Sequence, residues 1–141
     1  MKKVLVSVVA VVIACCFLVG CDLAFWKKND NAKKVDPVVL TPDSSAVGKS
    51  LLEYMESEKE NGRLVFIVSD KMVTSIKGVE NENPYYWMLY TDDEEITNSA
   101  WGSYEYNGKT YVSTSFGAAD ITIVEGKSYL WAYIDINPFL S

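Results

Sequence analysis

Past residue 36, only one stretch of this chain carries helical periodicity, which confines the fold to strands gathered around a single helix. Ser50-Leu51-Leu52-Glu53 has capping-box spacing. The serine oxygen can accept a helix-start amide while Glu53 reaches back to the cap. Leu51, Leu52 and Met55 then form one apolar face, and Asn61-Gly62 supplies a stop. The spacing predicts a helix from about Ser50 to Glu60.

The remainder alternates and branches like β-structure. Pro37-Val38-Val39-Leu40 is a short strand candidate before the turn Thr41-Pro42-Asp43-Ser44-Ser45. Leu64 to Val68 and Met72 to Ile76 are two more, broken at Ser69-Asp70. Tyr85 to Tyr90 is a strongly aromatic strand after Asn81-Glu82-Asn83-Pro84. Tyr104-Glu105-Tyr106 and Thr110-Tyr111-Val112 flank Asn107-Gly108, a hairpin signal because both turn positions need positive φ. Ile121 to Val124 and Tyr129 to Ile136, on either side of Glu125-Gly126, read as a second hairpin. The sum is an α+β domain over 37–137: one helix packed on a mostly antiparallel sheet of five to six strands.

Residues 1–20 read as an export signal: Met1-Lys2-Lys3, an apolar run from Val4 to Leu18, and small residues before the cut. The run falls short of the ~20 apolar residues that a membrane span needs. Leu18-Val19-Gly20-Cys21 resembles the lipobox of bacterial lipoproteins, which implies cleavage before Cys21 and lipidation of its thiol. Two or more acyl chains make a stable anchor, so the expected location is the extracytoplasmic face of the cell membrane. Cleavage also removes Cys15 and Cys16, leaving no cysteine for a disulfide or a metal site. Residues 21–36, polar and lysine-rich, read as a flexible tether. Its Phe25-Trp26 pair suits the lipid interface.

From Pro37 onward there are 7 basic and 16 acidic side chains, a net of −9. That balance argues against nucleic acid, whose affinity rests on neutralised phosphates. The chain has no histidine, which excludes His-based triads and His-ligated metal sites. Neither a Ser-x-x-Lys motif nor a Gly-rich phosphate loop occurs. Asp92-Asp93-Glu94-Glu95, the densest acidic run, reads as a solvated loop tip rather than a calcium site, because consecutive acids splay when extended. No cofactor is expected. Aromatic residues are the surplus, and with one helix only one sheet face is expected to be covered.

From Gly48 onward the chain resembles the transcobalamin C-terminal-like domain family, found in secreted and lipid-anchored bacterial proteins. The matching elements are Gly48-Lys49-Ser50-Leu51-Leu52-Glu53, Val73 to Val79, Tyr86-Trp87-Met88-Leu89-Tyr90, Ala119-Asp120-Ile121 and Glu125-Gly126-Lys127-Ser128-Tyr129. The resemblance implies a β-grasp fold and a soluble-ligand-binding role. It also implies contacts through the Tyr-Trp strand and the loop after it: here Trp87 and Met88, then Ile96, Thr97 and Asn98. Trp101 is a further candidate, in the loop that enters an apparent inserted hairpin, Trp101 to Ser115. The helical domain that completes the vitamin clamp is absent, so a small molecule other than cobalamin is favoured. The expected function is non-catalytic binding of a small molecule, with transfer to a membrane transporter as one outcome. The alternative is a surface protein-interaction or adhesion module using the same aromatic sheet.

Overall fold

The computed structural model describes residues 34–140; the signal, Cys21 and all of the tether before Lys34 lie outside the described residues. No helix among the described residues is long and apolar enough to cross a membrane. The first element is strand β1 (Val38–Leu40), followed by a 3-10 turn and helix α1 (Leu51–Glu60). Strands β2 (Phe66–Ser69), β3 (Met72–Ile76) and β4 (Val79–Glu80) come next, then the long β5 (Tyr85–Thr91). The hairpin β6 (Ser103–Tyr106) and β7 (Lys109–Ser113) and the second long strand β8 (Tyr129–Asp135) complete the domain.

The helix forms for the local reason legible in its first turn. Ser50 Oγ accepts from the Glu53 amide at 3.1 Å while Glu53 Oε2 accepts from the Ser50 amide at 2.7 Å. The second bond also holds the Glu53 carboxyl below its ordinary pKa. Leu51 and Met55, both fully buried, are the face that α1 presents to the core. At the far end Gly62 takes φ +73°, and Arg63 forks onto Glu58.

The expected single sheet is two antiparallel sheets. Five strands run in the order β1-β8-β5-β7-β6, and three in the order β2-β3-β4. The small sheet separates because its strands close on themselves. Asp70-Lys71 and Lys77-Gly78 all adopt positive φ, making two tight turns, and the ladder slips between Ile67 and Val68. Helix and small sheet pack on the same face of the large one. Leu51, Met55, Phe66, Val73 and Ile76 share a core with Trp87, Leu89, Tyr129, Trp131 and Tyr133.

Two further expectations fail here. Ile121 to Val124 is not a strand and forms no hairpin with β8. Both edges of β8 are occupied, by β1 and by β5, so no place remains for a third partner. The Ile121 segment instead bonds to the approach to α1: the Leu51 amide donates to the Ile121 carbonyl at 2.9 Å, and the Ile123 amide to the Lys49 carbonyl at 2.9 Å. The second face of the large sheet is also far from bare. Tyr90, Tyr111, Leu130 and Ala132 are buried there, with Val39, Met88, Tyr104 and Tyr106 packed around them. Burial is the largest cause that raises the Tyr104 phenol on β6, with smaller contributions from Tyr106 and Asp36.

The acidic run is only partly a solvated tip. Asp92 pairs with Lys109 and accepts the Ser128 amide at 2.8 Å. Burial pushes its carboxyl up, but those two partners outweigh it and hold the carboxyl below its usual range. Asp93 is buried and caps a 3-10 turn by accepting from the Glu95 amide. Only Glu94 and Glu95 are exposed.

Asn107 (φ 51°) and Gly108 (φ 75°) make the two-residue turn of the β6–β7 hairpin. A Cβ on Gly108 would meet nothing within 4 Å, so any penalty there is conformational. Gly108→Val is therefore expected to cost about 1–2 kcal/mol, the cost of a left-handed β-branched residue. Urea denaturation checks this: an unchanged midpoint would mean that the hairpin rearranges freely.

Candidate functional site

Alternation along β5 sends Trp87 and Leu89 to the core face and Met88 to the other. The cross-strand partners on β8 are Tyr133 for Trp87 and Trp131 for Leu89. Trp87 is only 4% exposed, and its indole N–H donates to the Val79 carbonyl at 2.7 Å. Its ring leans on Tyr133, with centroids 5.2 Å apart. The indole thus bolts β5 to the small sheet.

One edge of that packing stays open, as a groove of about 230 Å³. Its buried floor includes Trp87, Leu89, Trp131 and Val73. Its exposed rim is Lys71 and Met72 at the β2–β3 turn, and Ser115 and Phe116 in the loop after β7. Trp101 closes one side. The tight Asp70-Lys71 turn is what brings Lys71 and Met72 to the mouth.

The Trp101 backbone is pinned from several directions. Its amide donates to Ser113 Oγ at 3.1 Å, and that hydroxyl donates onward to Asn98 Oδ1 at 3.3 Å. Its carbonyl accepts from the Tyr90 hydroxyl at 2.9 Å. The indole meets Phe139 edge-on, centroids 5.8 Å apart. Gly102 makes room for that ring: a Cβ there would come within 3.2 Å of it.

Of the six candidate ligand-binding residues, Trp87, Met88 and Trp101 line the groove. The Met88 side chain itself belongs to the cluster on the opposite face. Ile96, Thr97 and Asn98 do not line it. Ile96 packs against the main core, Thr97 bridges to Thr114, and Asn98 braces the loop that carries Trp101. Lys71, Met72, Phe116 and Trp131 are among the lining residues that sequence reasoning missed.

Nothing matches. No family model, curated protein or solved structure gives a match to this chain. Whatever the groove does must be argued from its own chemistry. It holds three of the chain's four tryptophans and no acidic side chain, in a domain with 16 of them. Lys71 is its single ionisable group, so it offers no acid–base pair. Among the described residues no three His, Cys, Asp or Glu side chains converge on one point. The arrangement suits contact with a flat apolar body, for which indoles offer large area at small entropic cost.

Proposed function

We propose that this chain is a membrane-anchored lipoprotein of the extracytoplasmic face, whose β-grasp-type domain binds a small molecule without transforming it. The observation that carries the reading is the tryptophan-walled, acid-free groove between β5, β8 and the loop after β7. Concave, mostly apolar sites with few polar groups are the usual form of a small-molecule pocket. The Leu18–Cys21 motif supports the anchor, and one helix on a largely antiparallel sheet is compatible with a β-grasp. A lipid anchor would hold such a domain next to a membrane transporter able to take its cargo.

Two measurements test this. Cys21→Ser is expected to abolish incorporation of labelled fatty acid and release the chain from membranes; labelling that survives the substitution refutes the anchor. Binding at the groove is expected to quench tryptophan fluorescence, and Trp101→Ala to weaken binding as read by the quench from Trp87 and Trp131. An unchanged affinity in Trp101→Ala would place binding elsewhere.

One observation favours the adhesion alternative. Val65 and Ile67, 62% and 52% exposed, lie on and beside β2, an edge strand of the small sheet. Exposed edges of this kind pair readily with another chain. If Ile67→Lys abolishes attachment to a surface protein while groove binding persists, that edge carries the function instead.

A further inference from the structure

Trp131, one of the residues that line the groove, carries an unmet hydrogen bond at an indole nitrogen closed to solvent. Trp131 is 5% exposed, and its indole N–H is the one buried side-chain polar atom among the described residues without a partner. Trp87, on the neighbouring strand in the same floor, shows the ordinary outcome, with its N–H on a carbonyl at 2.7 Å. Leaving a buried donor unmade is costly, so a native donor left this way points to an acceptor from outside the chain. Lys71 stands at the mouth with no acidic side chain lining the groove beside it, and no ion pair among the described residues includes it. The rim aromatic, Phe116, is 52% exposed.

We propose that the groove takes a planar, ring-bearing molecule with a carbonyl or carboxylate oxygen. In that complex the ring lies among Trp87, Trp101 and Phe116, and a displacement of the side chains that cover the Trp131 N–H lets the oxygen accept from it. A carboxylate gains the Lys71 ammonium as well, whereas a cationic molecule is repelled. The inference rests on the small-molecule reading above and adds the chemical class. Acceptor specificity follows from the same asymmetry that orphaned the donor: a molecule without an acceptor leaves the N–H unpaired in the complex too.

The test uses the lipidated full chain, ¹⁵N-labelled at its tryptophan indoles, in one detergent background for all variants. The probes are 2-naphthoate, 2-naphthamide and 2-methylnaphthalene. Naphthoate and naphthamide are expected to move the Trp131 indole N–H resonance downfield and to bind roughly five- to tenfold more tightly than methylnaphthalene. Lys71→Gln, a surface change, is expected to weaken naphthoate about threefold, to leave naphthamide unchanged, and to have no effect at about 0.5 M salt. Trp131→Phe is expected to bring naphthamide to the affinity of methylnaphthalene and to leave naphthoate only its Lys71 advantage; the Trp131 resonance in the unsubstituted chain serves equally if that variant does not fold. If methylnaphthalene binds as well as the amide, and Trp101→Ala abolishes it, the groove is a binding site but the acceptor inference is overturned. If no probe shifts any groove indole, the small-molecule reading itself falls.

Discussion

Trp87→Ala is expected to destabilise the domain by about 3–5 kcal/mol, the usual cost of removing a large buried aromatic. Three losses coincide. The ring leaves a hole in the cluster that joins Leu51, Phe66, Ile76 and Tyr133. The Val79 carbonyl loses its 2.7 Å donor, and the tilted contact with Tyr133 disappears. Because Val79 lies in β4, the break falls on the seam between the two sheets. Against a typical total of about 5–15 kcal/mol, the change would lower the urea midpoint severely. Trp101→Ala is expected to cost far less, because its indole is only half-buried and the backbone bonds that pin its loop survive. The contrast separates the two tryptophans: Trp87 holds the groove's floor in place, whereas Trp101 can be replaced with the floor intact. A Trp87→Ala penalty below about 1 kcal/mol would mean that the floor collapses easily and the groove is not preformed.

What was legible in the sequence was legible because its physics is local. The Ser50/Glu53 box and the Asn107-Gly108 turn depend on residues at most three apart, and both form as the spacing predicts. Ile121 to Val124 failed for the opposite reason. Its alternation and its Glu125-Gly126 turn are indistinguishable from a strand end, and Gly126 does take φ +79°. Competition for β8 decides against it, and that depends on β1, some ninety residues upstream. The split into two sheets is non-local as well. It turns on whether β4 continues into the large sheet, and the only bridge beyond its turn is Glu82 to Tyr85 within the connection itself. The groove draws on residues from 71 to 131, so no window of sequence contains it. The aromatic strand pointed to Trp87 and the hairpin loop to Trp101. Nothing local marks Trp131 as a tryptophan whose N–H would go unpaired, because Tyr129 and Tyr133, two positions to either side on the same face, both find partners.

The second large effect is expected in alkali. Burial, with a smaller contribution from Tyr104, pushes the Tyr90 phenol up to about 12. Burial is also the leading cause that raises Tyr129, Tyr133, Tyr104 and Tyr54. An unfolded tyrosine ionises near pH 10. Between that pH and the folded value the native state holds protons that the unfolded chain has released, so stability falls as pH rises. The contribution is fully present below about pH 10 and, for Tyr90, gone by about pH 12. Two pH units for one group correspond to about 2–3 kcal/mol, and the other four tyrosines act in the same direction. Ionisation of Tyr90 also turns its donated bond to the Trp101 carbonyl into two facing acceptors, which loosens the loop beside the groove. Circular dichroism and the last part of the phenolate absorbance, followed together through this range, are expected to change in one cooperative step. Tyr90→Phe is expected to cost about 1 kcal/mol at neutral pH through the lost hydrogen bond, and to move the alkaline midpoint upward relative to its own neutral stability. If all nine tyrosines ionise before the dichroism changes, the buried phenols are more accessible than their packing implies. The second face of the large sheet would then open without unfolding.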